Sequence, residues 1–151
     1  MPWIWSTTKI VAKMFDREFS RVYIQSIGNT TNGKGVREMG DRVLIQVKSG
    51  TEFSPVCYLH WGGNDAPRLI QETVQLMTSR LGDVDYVFGR LVGVCHARTP
   101  GSTGLGCFNA DHILTADDSH GDAGVYIIDC DTWDVTAKGG YGTSFNAAVA
   151  A

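Results

Sequence analysis

The side chains best suited to chemistry gather in four short stretches. Cys57 and His60 frame "CYLHWGGND" (57–65), Cys95 and His96 are neighbours, Cys107 precedes His112, and "ADDSHGDAG" (116–124) holds Asp117, Asp118, His120 and Asp122. A structural zinc site is usually built from pairs that chelate from one turn. Three apart on a strand, Cys57 and His60 point to opposite faces. Adjacent on a helix, Cys95 and His96 diverge by about 100°. These spacings predict no transition metal and no cofactor. A nucleophile needs a base within hydrogen-bond reach and a group to orient that base. No G-x-S-x-G elbow occurs. Cys107 follows the Gly-rich "TPGSTGLG" (99–106), a source of backbone N–H donors, and His112 or His120 could serve as its base. One candidate is therefore a hydrolase-like site using Cys107 or His60 with the Asp117–Asp122 loop and His120. The same loop could bind a hard cation or do acid–base work, but its composition is equally that of a solvated turn. It lacks the spacing and closing Glu of an EF-hand.

The second candidate is a corner. In "YLHWGGND" (58–65) strand alternation places Tyr58 and His60 on one face and Leu59 and Trp61 on the other. Gly62 and Gly63 carry no side chains to block access, and Asn64 stands before a helix. His60 can donate and accept, and Trp61 offers a flat apolar surface with one N–H. Tyr58, His60, Trp61, Gly62, Gly63 and Asn64 thus form a candidate binding set. The alternative is that the ring pair only anchors the strand end. Glycines before a helix N-terminus also favour a small anion, although no P-loop or dinucleotide fingerprint is present.

The elements that must position these residues are legible in the pattern. "DRVLIQVKSGTEFSPVCYLHW" (41–61) reads as a β-hairpin. Val43, Ile45 and Val47 alternate with Arg42, Gln46 and Lys48, the period of a half-buried strand, and Ser49-Gly50-Thr51 makes the turn. Pro55 lacks an N–H and places the start of the second strand at an edge or outside regular pairing. Residues 64–82 predict a helix capped by Asn64 or Asp65, with Ile70, Val74, Met77 and Leu81 on one face and Gly82 as its stop. Residues 83–98 predict a second helix capped by Asp83, with Val84, Val87, Phe88, Leu91 and Cys95 as its apolar stripe. Gly89 and Gly93 read as a site of close packing, or else as a groove. A short strand at 105–109, a polar loop and a second hairpin turning near Asp131–Trp133 complete the order. Hairpin, two helices and hairpin predict an α+β fold: a mainly antiparallel sheet with the helices on one face.

Charge divides the chain. Residues 1–38 carry six basic and three acidic residues, a net +3, and the remaining 7 basic and 13 acidic residues give −6. An acidic body argues against nucleic acid as a partner. No stretch approaches the ~20 apolar residues of a membrane span, and no secretory signal is apparent at the start. This predicts a cytoplasmic protein with reduced, buried cysteines and no membrane association. "SIGNTTNGKGVREMGDR" reads as a polar, Gly-rich linker from about Ser26 to Gly40. Residues 1–38 are either a leader arm or a non-native upstream extension before a start at Met39; Lys34-Gly35-Val36 can be encoded as a ribosome-binding sequence. Ile10, Met14, Phe15, Phe19 and Val22 suggest a helical stripe, "RVYIQSI" (21–27) could instead be a strand, and Trp3 and Trp5 need cover. The expected organisation is 1–38, a single domain over 39–142, and a loose tail over 143–151.

"GDRVLIQVKSGTEFSPVCYLHWGG", a capped helix and later "HGDAGVYIIDCDTWDV" resemble a family of small uncharacterised proteins from bacteria, phages and mobile elements. The likeness covers about 39–142. It implies a compact cytoplasmic accessory protein and supplies no activity, cofactor or catalytic residue. The function expected is a binding or inhibitory module without catalysis. Its partner would be an unknown protein or small ligand, and the chain itself would form a homodimer through the leader.

Overall fold

A computed structural model describes residues 41–99 and 104–144. The leader over 1–38, Met39, residues 100–103 of the Gly-rich segment before β3 and residues 145–151 of the tail lie outside the described residues. In chain order the elements are β1 (Val43–Ser49), β2 (Glu52–Leu59), α1 (Ala66–Met77), α2 (Val84–Arg98), β3 (Leu105–Phe108), a 3-10 turn (Ala116–Asp118), β4 (Gly124–Asp129) and β5 (Asp134–Lys138). They build one five-stranded sheet in the order β3-β2-β1-β4-β5. Three of its four junctions are antiparallel, and the central β1–β4 pair is parallel. The fold is α+β, mixed and mostly antiparallel, with both helices on one face. No helix among the described residues is long and apolar enough to cross a membrane.

The β1–β2 turn places Gly50 at φ +55, the conformation that a two-residue hairpin loop demands of a leading glycine. Opposite Val47 the register shifts, so that Gln46 faces Val56 and Lys48 faces Phe53. Ser54 and Pro55 share the space opposite Val47, a bulge that tolerates a proline. The Val47 N–H donates to the Ser54 hydroxyl instead, at 3.0 Å. Pro55 also lies before the stretch of β2 that pairs with β3, which begins at Val56.

Helix α1 buries Leu69, Ile70 and Met77, and α2 buries Val84, Val87, Leu91 and Cys95, against Val43, Ile45, Val47, Cys57, Leu59 and Ile128. Leu81, expected on the α1 stripe, lies beyond the helix end and is exposed. Gly89 and Gly93 are exposed on α2, and a Cβ added at either would meet nothing. Among the described residues the close packing expected there is absent, because the helix seats on the sheet through its other face.

The second sheet face is also covered. Leu44, Val56, Val125 and Ile127 pack with Leu114, and Ala110 and Ile113 lie against them. These last three come from the irregular segment between β3 and β4. The expected half-buried strand is therefore wrong for β1, which runs buried on both faces. Gln46 is fully buried and satisfied: its amide donates to the Ser54 and His112 carbonyls at 3.1 and 3.2 Å, and its oxygen accepts from the Leu114 N–H at 2.9 Å. One buried amide thus ties the covering segment to the sheet.

Candidate functional site

The end of β2 presents a cluster of rings. Tyr58 and His60 share a strand face, as their i, i+2 spacing requires, and the Tyr58 hydroxyl hydrogen-bonds His60 Nδ1 at 2.7 Å. When the hydroxyl donates, the imidazole proton sits on Nε2, which can then donate outward. The His120 ring stands edge-on to Tyr58 with centroids 5.9 Å apart, and Trp61 stands edge-on to His60 at 4.7 Å. Trp61 does not follow Leu59 into the core. The strand has ended, and the indole is 68% exposed.

Beside this cluster Arg42 joins β1 to the segment leading into β4. Its Nε donates to Asp122 at 2.5 Å, its backbone N–H reaches the same carboxylate at 3.2 Å, and Nη2 reaches the His120 carbonyl at 3.4 Å. Asp122 is buried, and the Arg42 bond outweighs burial to hold its carboxyl below the usual range. Arg42 is raised in turn, chiefly by the same bond. The pair lies 80 residues apart in sequence, so no local spacing announces it.

The glycines serve the fold. Gly63 is buried, and a Cβ there would collide with Ala123, the Asp41 carboxylate and the Tyr141 hydroxyl. A Cβ on Gly62 would strike Leu59. The open room expected at these two positions is taken by the protein's own side chains. The helix N-terminus is occupied in the same way. Asp65 makes no side-chain cap, and the Asp41 carboxylate instead accepts from the Asn64 N–H at 3.1 and 3.2 Å. Tyr141 donates its hydroxyl to the same carboxylate. Burial first, then that bond, raises the Tyr141 phenol. The anion favoured by a Gly-Gly helix start is thus a carboxylate of this chain. Asn64 itself is exposed.

The acidic loop is dispersed. Asp118 accepts from the Thr115 N–H at 2.7 Å and faces His112 Nε2 at 3.1 Å; Asp122 serves Arg42, and Asp117 is exposed. Among the described residues no three metal-ligating side chains converge. Cys107 is exposed on β3 opposite Cys57. Its side chain shares the helix face with Cys57, whereas His120 packs on Tyr58 across the sheet. The structure therefore joins His60 and His120 through Tyr58 and leaves Cys107 apart from both. Scans of family models, of curated proteins and of solved structures each return no match for this chain.

Proposed function

We propose that this protein is a small cytoplasmic accessory protein that acts as a binding or inhibitory module without catalysis, through the Tyr58–His60–Trp61 corner. The observation that carries this reading is Trp61, 68% exposed yet held against an imidazole that is itself fixed by a tyrosine. An indole left in water beside oriented polar groups is the composition of an interaction hot spot. Asn64 flanks it, and Arg42 and His120 extend its polar rim. The glycines act only by placing the chain.

The test is an NMR titration of the full chain against small aromatic and polar molecules, paired with affinity capture from host lysate. Expected are shifts at the Trp61 indole and Tyr58–His60, and a captured species lost in Trp61→Ala while the melting temperature holds. Corner resonances that never move, with capture indifferent to Trp61, sink the reading. One observation favours a second reading, a hydrolase-like acid–base site. His60, just past the end of β2, and His120 of the acidic loop flank one tyrosine. Hydrolysis that disappears in both His60→Ala and His120→Ala would replace the first reading by the second.

A further inference from the structure

Three of the four cysteines meet on the helix face of the sheet. Cys57 on β2 and Cys95 on α2 are buried, and Cys107 on the edge strand β3 is exposed. Cys57 and Cys95 belong to one buried core cluster under the helices. Cys57 and Cys107 are direct partners in the β2–β3 ladder. Three positions along that ladder the His60 N–H donates to the Gly104 carbonyl at 2.9 Å, which marks His60 and Gly104 as a hydrogen-bonded pair. Antiparallel pairs alternate, so Cys57 and Cys107 form a non-hydrogen-bonded pair, with Cα atoms about 4.5 Å apart and side chains on one face. A disulfide spans Cα separations of about 4.4–6.8 Å. The two thiols can therefore be bridged without moving the strands apart.

We propose that Cys107 and Cys57 form a thiol–disulfide exchange site for low-molecular-weight disulfides of the glutathione type, with exposed Cys107 as the attacking thiol and buried Cys57 as the resolving one. Cys107, as thiolate, attacks one sulfur of the small disulfide. A sulfur–sulfur bond forms to Cys107, the small disulfide breaks, and one thiolate leaves with the proton that Cys107 gave up. Cys57 then loses its proton and attacks the Cys107 sulfur. The mixed disulfide breaks, and the second small thiol leaves with the Cys57 proton. Two protein thiols are oxidised to one disulfide, and one small disulfide is reduced to two thiols. Cys95 sits behind Cys57 and has no path to a soluble disulfide. Burial raises the Cys107 thiol, and contact with Cys95 together with burial raises Cys57. Exchange therefore quickens as pH rises above neutral. The bridge closes on the face opposite Tyr58, so this site stands whether or not the corner binds anything.

The full chain is incubated with oxidised glutathione at several pH values, quenched by alkylation and mapped by mass spectrometry. Expected is a Cys57–Cys107 linked peptide formed through a transient glutathione adduct on Cys107, with Cys95 and Cys130 alkylated only after unfolding. Cys107→Ser should lose the adduct and the linked peptide together. Cys57→Ala should stop at a stable adduct on Cys107. Wild-type chain that stops at that adduct, or whose first bridge joins another pair, overturns the proposal. The wild-type map alone decides, even if a variant fails to fold.

Discussion

At the scale of single residues, Gln46 and His112 fasten the covering segment to the sheet. Replacing Gln46 by methionine keeps most of its volume but strands two carbonyls and one N–H in a dry interior. An unsatisfied buried group costs about 1–3 kcal/mol, so Gln46→Met should lose about 2–4 kcal/mol, read as a lower urea midpoint at unchanged slope. A loss under 0.5 kcal/mol would mean that water reaches these groups. His112 sits between Asp111 at 2.5 Å and Asp118 at 3.1 Å, and these bonds, Asp111 first, raise its pKa. Asp111 is 96% exposed, so water screens that half of the bridge. A raised histidine contributes stability in full below its unfolded value, about 6.5, and loses it as pH climbs through the folded value. Asp118 and Asp122 are lowered, Asp118 chiefly by the Thr115 N–H and Asp122 by Arg42. Their contribution is present above about pH 4 and fades as pH falls through the folded values. The melting temperature should thus decline from pH 6 to 8, and His112→Gln should flatten that decline. A wild-type profile already flat there rules this out. Strand alternation makes the shared face of Tyr58 and His60 legible in the sequence, since they lie two residues apart. Arg42 with Asp122 and Gln46 with Leu114 join residues too distant for any periodicity to register.

At the scale of elements, what a strand or helix does for itself was readable, and what another segment does for it was not. Alternation located β1, and the caps and stripes located both helices, with Asp83 accepting from the Tyr86 N–H. The start of α1 falls at Asp65 as expected, but the carboxylate that accepts there is Asp41, 23 residues upstream of Asn64, not a side chain of the cap itself. Alternation alone turns Gln46 to solvent, because the segment that covers it has no period of its own. The Gly89 and Gly93 pattern suggests a packed seam, yet no described residue packs on these glycines of α2. Glycine inside an exposed helix costs about 0.5–1 kcal/mol relative to alanine. Gly89→Ala and Gly93→Ala should each raise stability by about that amount in a urea melt. If either lowers it, something outside the described residues rests on this face.

At the scale of the whole molecule, the described residues close a sheet with both faces covered and β1 at its centre. A chain starting at Met39 should therefore remain soluble and melt cooperatively. The +3 of residues 1–38 against −6 in the remainder leads us to propose that the full chain pairs with a second copy through that segment. Light scattering at matched concentration should give a dimer for the full chain and a larger monomer fraction for the shortened one. A full-length monomer defeats the pairing, and loss of cooperativity on shortening makes residues 1–38 part of the fold. The parallel β1–β4 junction was not legible, since it joins strands 81 residues apart and turn chemistry reports only on neighbours.

The tie between Asp41 and Tyr141 has an architectural meaning. Asp41 opens the described domain and Tyr141 lies near its close, 100 residues on, and the two side chains touch over the first turn of α1. Ala123 knits the same spot, donating to the Arg42 carbonyl at 3.1 Å and accepting from the Gly142 N–H at 3.1 Å. The two outer ends of the described residues thus lie side by side. A unit of that kind can be spliced into a surface loop of a host protein, or strung between other modules, without prising its own sheet apart.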